Sequence, residues 1–181
     1  IVSSIDPFGF ATSERGNEKK NNDLIKLYSS GGVGYVEIND VNKGRNLIDK
    51  HKVMISQTTS EHAGEPGKDG KFKLFSTIKV LLPNEICTFS YIIAGPMPNE
   101  NNAKNLKSYL STKFARLLVL QAVSSIHLSR EKFIFLPIQD FNETWTDEKL
   151  YKKYGLTEEE IAFIDSMIRP MDLSDNGESD E

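Results

Sequence analysis

An α+β domain is the fold this sequence predicts: a curved, mostly antiparallel sheet packed by one long helix, with two short helices at the C-terminal end. Three observations carry the prediction. Several short runs alternate apolar and polar residues with period two, as half-buried antiparallel strands do. Residues Glu100–Val123 carry instead an apolar stripe at helical spacing. Beyond Trp145, two further helical patterns flank a glycine and a capping signature. With 181 residues the chain can bury a real core. Residues 1–171 are expected to form that one domain, and 172–181 an acidic, disordered tail.

Taken in order, residues 1–30 are polar and irregular. Pro7-Phe8-Gly9-Phe10 reads as a turn that tucks aromatics onto the body, and Ser13–Asp23 as an exposed loop. Ile25–Ile38 reads as two strands around a Ser-Ser-Gly-Gly turn, and His51–Ser56 as another strand. Residues 57–71 hold three glycines and a proline, which predicts a long loop. Strands are predicted at Phe72–Leu81 and Ile86–Ala94, joined by a turn at Leu82–Glu85. In the long helix, Ala103, Leu106, Leu110, Phe114, Leu117 and Leu118 oppose Lys104, Lys107, Ser108 and Lys113. Thr157-x-x-Glu160 is a capping box, with Leu156 and Ile161 placed as a hydrophobic staple. Gly155 ends the helix before it, and Pro170 stops the helix after it.

The net charge of −4 is unevenly distributed. The last ten residues hold five acids and no base, and residues 143–171 hold seven acids against four bases. Residues 1–142 are left with 18 Lys and Arg against 14 Asp and Glu. The body is mildly basic, which permits phosphate contact without demanding it. No apolar run is long enough to span a bilayer, and no signal peptide is evident. The absence of an initiator Met suggests a piece of a longer protein. A single cysteine, Cys87, suits a reducing cytoplasmic setting and reads as a buried structural thiol.

Catalytic motifs are not legible. Gly31-Gly32-Val33-Gly34 lacks the third glycine and following helix of a phosphate loop, so a hairpin is the better reading. His51, His62 and His127 have no metal-ligand spacing, and there is no G-x-S-x-G nucleophile elbow. Glu18-x-Lys20 and Asp147-x-Lys149 read as solvated charge rather than nuclease carboxylates. Three regions offer binding chemistry. The Thr58–Lys68 loop is rich in hydrogen-bonding groups, though plain disorder explains it too. Lys43, Arg45, Lys50 and Lys52 form a basic run that is either a phosphate-facing strip or a wet face. Ser124–Phe133 mixes hydroxyls, an imidazole and two bases: either a DNA-facing connection or a loop packed under the next strand.

Two stretches, Lys52–Gly95 and the sequence from Asn105 through HLSREKFIFLPIQDF to TWTDEKLYKKYGLTEEEIAFIDSMIRPM, carry a family resemblance. They resemble the C-terminal region of restriction–modification adenine methyltransferases with a TaqI-like specificity domain. The likeness extends forward through Pro7–Phe10 and Ile25–Val36. In that family a separate Rossmann-like domain binds S-adenosylmethionine and methylates adenine, using an Asn-Pro-Pro-Tyr or Asn-Pro-Pro-Phe signature. No two prolines are adjacent here. The resemblance therefore implies the target-recognition part, with no cofactor of its own and S-adenosylmethionine belonging to the parent enzyme. Some relatives also cleave DNA. The family's Gln-His-x-Ser/Thr-Lys reads here as Ile126-His127-Leu128-Ser129-Arg130, so His127, Ser129 and Arg130 match, with Arg in place of Lys.

The expected partners are double-stranded DNA, read in the major groove, and the upstream methyltransferase domain of the same polypeptide, with no membrane. A protein–protein interaction module is the alternative, and a nuclease domain a more remote one. The expected DNA contacts are Lys43, Arg45, Lys50, Gln57, His62, Lys68, His127, Ser129, Arg130 and Lys132. Lysines suit phosphates, whereas Gln57, Arg130 and His62 suit base edges.

Overall fold

The computed structural model describes residues 2–3, 5–19, 23–61 and 65–171. Its six strands are β1 (Leu24–Ser29), β2 (Gly32–Glu37), β3 (His51–Ser56), β4 (Ile78–Leu81), β5 (Glu85–Cys87) and β6 (Tyr91–Met97). Four helices follow: α1 (Glu100–Ser111), α2 (Lys113–Ala122), α3 (Asp147–Tyr154) and α4 (Glu158–Met167). The class is α+β, as expected. The strands form two three-stranded sheets rather than one, in the orders β2-β1-β5 and β4-β3-β6.

The hairpin β1–β2 forms where the sequence places it. Its glycine run is a strand feature: a Cβ on Gly34 would lie 1.7 Å from the Arg15 carbonyl oxygen, so the 15–17 backbone can press on β2 only because the side chain is absent. The runs 72–81 and 86–94 differ from expectation. Only Ile78–Leu81 of the first is strand, and it pairs with β3. The second divides at Thr88–Ser90. Its β5 half pairs in parallel with β1, while its β6 half pairs with β3. The division is fixed by backbone bonds: the Thr88 and Phe89 amides donate to the Tyr28 and Phe10 carbonyls (2.9 and 2.8 Å). These bonds hold the chain against the first sheet before it turns into the second.

Strand β3 is buried on both faces, which explains its nearly continuous apolar reading. Val53 and Ile55, with Ile92 and Ala94 of β6, belong to the core shared with the helices. Met54 and Ile93 belong to the other core, with Leu27 and Ile86 of the first sheet. The second sheet is thus the middle layer between the first sheet and the helices. Cys87 is buried in the inter-sheet core, and burial pushes its thiol well above the ordinary range.

The predicted single helix over 100–123 is two helices. Thr112, at φ −62° and ψ 151°, is extended backbone. It closes α1 and opens α2, where its hydroxyl accepts the Ala115 amide at 3.1 Å. Asp147 completes the start of α2 by accepting the Lys113 and Phe114 amides at 3.1 and 2.9 Å. The fully buried Arg116 reaches back to the Ser111 and Thr112 carbonyls (3.1 and 3.3 Å) and across to that of Lys73 (3.0 Å).

The apolar run from Phe133, which reads as a strand, forms none: residues 134–146 run as an irregular strap across α1. Side chains supply its hydrogen bonds. Tyr109 donates to the Pro137 carbonyl, Trp145 to that of Asp140, and Asn102 and Asn105 both to that of Phe141, all within 2.9 Å. The two C-terminal helices match expectation: Gly155 closes α3 at φ 65°, and the Thr157–Glu160 capping box opens α4. After α4, Ile168 pairs with Phe72, and Arg169 binds Asp69 at 2.8 Å. The block after Trp145 therefore braces the body. The expected disordered tail, 172–181, lies outside the described residues.

Candidate nucleic-acid interface

The Ser124–Phe133 connection acquires its shape from the residues just after β3. The Leu128 amide donates to the Gln57 carbonyl at 2.6 Å, and the Thr59 amide to that of Ile126 at 2.8 Å. Thr58 pairs with His127, and Thr59 also with Phe75. Three separate parts of the chain are thereby laced into one small ribbon. Leu128 and Phe133 anchor it inward, the Phe133 ring stacked on Phe75 with centroids 6.2 Å apart.

Between these anchors the polar groups face outward. His127 and Arg130 are exposed, and Ser129 and Lys132 are half-buried. The Lys132 ammonium donates to the Ser124 hydroxyl at 3.0 Å, and the Ser125 hydroxyl accepts the His127 amide at 3.4 Å. Residues 130–133 form a 3-10 helix, which sets Arg130 and Lys132 on a firm support. Glu131 between them is also exposed; the Ser129 hydroxyl, ahead of its own backbone amide, holds its carboxyl below the usual range. This surface can offer an imidazole, a hydroxyl, a guanidinium and an ammonium to phosphates or base edges.

The other expected contacts are placed differently. Gln57 is buried, with its backbone tied to Leu128 and Ser90, so this side chain faces no ligand. It was expected on the surface because a glutamine after a strand reads as loop, and the overlying 126–128 ribbon is not visible locally. Lys43 pairs with Asp6, and Lys50 with Asp49 at 2.9 Å. The Arg45 guanidinium staples its own turn by donating to the Val41 and Asn39 carbonyls at 2.7 and 2.9 Å. Lys50 and Gln57 flank opposite ends of β3, so Lys50 enters the structure about 20 Å along the strand from the ribbon. Lys50 does not join His127 and Arg130 in one cluster. Lys68 is exposed in a tight turn that Asp69 fastens to Arg169. His62 lies outside the described residues.

Lys52, the last member of the basic run, is fully buried. It shares the phase of Met54 and so points between the sheets, its ammonium 2.9 Å from the Lys50 carbonyl and 5.9 Å from the Phe8 ring centroid. Burial pulls it down to about 8. Period two from Met54 was the signal that could have predicted this.

Sequence reasoning also missed an apolar feature beside the ribbon. A groove of about 440 Å³ lies between α1 and the strap, lined by Leu106, Tyr109 and Leu110 on one side and Leu136 and Phe141 on the other, with Arg130 and Glu131 among its walls. Ile134 and Ile138, 74% and 73% exposed, also line it, and neighbouring Phe135 is 55% exposed.

Among the described residues, no three His, Cys, Asp or Glu side chains gather as a metal site, and no helix is long and apolar enough to cross a membrane. Comparison with known proteins gives no significant match to any family model, curated protein or solved structure.

Proposed function

We propose that this chain recognises double-stranded DNA as the specificity part of a restriction–modification adenine methyltransferase. Its role is to position the duplex for S-adenosylmethionine-dependent methylation by a catalytic domain outside this sequence. The observation that carries the reading is the 127–130 turn, which exposes His127 and Arg130 and half-exposes Ser129 while Leu128 anchors it inward, with Arg130 opening a 3-10 helix. Its matches to the family's motif are the residues that face outward. Arg130 and His127 are the base-edge candidates, while Lys132 and Lys68 suit phosphates. Lys50, at the far end of β3 from the ribbon, suits a second stretch of backbone, with Lys43 and Arg45 earlier in the chain.

Binding should be weak and steeply salt-dependent, because much of the parent's grip on phosphate lies in the catalytic domain. Fluorescence anisotropy with a mixed-sequence duplex over a salt series tests this. Lys132→Ala should lower the slope of log K against log salt by about one. No binding even at the lowest salt would overturn the proposal. The alternative of a protein-docking module draws on one observation, the open apolar groove beside α1.

A further inference from the structure

We propose that Ile134 and Phe135 form an apolar wedge that enters an unstacked base step of the bound duplex. This rests on the DNA-recognition reading above.

Three observations on one segment carry it. The first is exposure: Ile134 and Phe135 are 74% and 55% exposed, although the same segment buries Phe133 and half-buries Leu136. Large apolar groups next to a core ordinarily fold into it, so two adjacent ones held out need an explanation. The second is rigidity. On one side Phe133 is locked by its stack on Phe75. On the other, the Pro137 carbonyl accepts the Tyr109 hydroxyl at 2.8 Å, and Gln139 is buried between Lys153 and Tyr154, at 2.6 and 2.8 Å. The projecting pair is therefore a fixed point on a braced backbone. An inserting side chain needs this, because a flexible tip would lose entropy on entry.

The third is charge. The 3-10 helix just before the pair carries Arg130 and Lys132, and Ile134 lies only about 8 Å along it from Arg130. No carboxylate among the described residues forms an ion pair with either. Glu131 lies exposed between them, so the turn keeps a net charge of +1, and an apolar point beside that positive excess suits a base step flanked by phosphates better than a purely apolar partner. Phe and Ile are among the side chains that proteins insert between base pairs, kinking the duplex as they enter. A wedge here would loosen the stack close to the residues offered to base edges. That lowers the cost of extruding a base for modification.

The test uses the chain itself, a short mixed-sequence duplex, and the same duplex carrying one central mismatch. A wedge spends binding energy on unstacking, so the unaltered chain should bind the mismatched duplex about tenfold more tightly than the intact one. It should also bring dyes on the two duplex ends closer together. Ile134→Ala with Phe135→Ala should abolish both the preference and the approach of the dyes, leaving the salt slope unchanged. Both residues are exposed, so the variant should fold, as an unchanged circular dichroism melt would show. Equal affinity for the two duplexes by the unaltered chain, or a preference that survives in the variant, overturns the wedge while leaving DNA recognition standing. A variant that changes only self-association by sedimentation would assign the surface to protein docking instead, and also overturns it. Failure of the unaltered chain to bind any duplex would remove DNA recognition itself, and the wedge with it.

Discussion

Lys52 and Arg116 are both fully buried, and both bond to backbone carbonyls. They differ in what their removal should do. Lys52 sits at about 8 when folded against 10.5 when exposed, because burial opposes its charge. Between those values the unfolded chain binds the extra proton, so this residue makes stability rise with pH from 8 to 10.5, by on the order of 3 kcal/mol. Cys87 acts in the opposite sense at alkaline pH, because its buried thiol keeps a proton that the unfolded chain releases. Comparing Lys52→Met with the unaltered chain cancels the cysteine. The methionine variant should be the more stable at pH 7 in urea titrations, with its advantage shrinking toward pH 10.5. Arg116→Leu should behave otherwise. It takes the side-chain donor from the Ser111 carbonyl at the joint between two helices and the second donor from those of Thr112 and Lys73, which keep the Arg116 and Phe75 amides, and should cost about 1–3 kcal/mol by the same measurement.

At the scale of elements, the joint itself shows what sequence pattern can and cannot convey. The apolar stripe from Ala103 to Leu118 correctly announces helix, and α1 and α2 together occupy nearly the predicted span. The break at Thr112 is invisible to periodicity because one extended residue shifts the phase only slightly. The partners that hold it, Asp147 and Lys73, are more than thirty residues away. Asp147→Ala should expose how much the distant cap contributes. Losing two amide acceptors at the start of α2 should lower stability by about 1–2 kcal/mol, read from thermal unfolding. By contrast, α3 and α4 carry their caps within their own sequence, and Gly155, Thr157 and Glu160 do in the structure what their spacing predicts. The apolar run that opens the strap reads as a strand and is none, for the same reason that the joint is hidden. The strap's order comes from side chains of α1 and from Trp145, not from any pattern of its own. Tyr109→Phe should cost about 1 kcal/mol and speed amide exchange along 137–141, because burial pushes the hydroxyl up to about 12 and keeps it a donor.

For the whole molecule, the sequence conveyed class, hairpin and terminal helices, yet implied one sheet where there are two. A run such as Ile86–Ala94 alternates convincingly throughout, and nothing local says that Cys87 will meet Tyr28 while Tyr91 meets Ser56. The candidate site was legible to a similar depth. The mix of hydroxyls, imidazole and bases in Ser124–Phe133 marked a surface, and the structure exposes His127 and Arg130 there. The burial of Gln57 depended on a pairing some seventy residues away. That same long-range pairing gives the molecule an unusual seam. Both sheets are composites of chain from before and after the turn at Gly67–Gly70: β1 and β2 with β5 in one, and β3 with β4 and β6 in the other. A single cut in that turn would separate the polypeptide without separating the fold. The two pieces should co-migrate on a native gel after limited proteolysis and part only in denaturant. Expressed as two halves, the molecule should reassemble, a working split protein whose reunion could report that both halves are present in one cell.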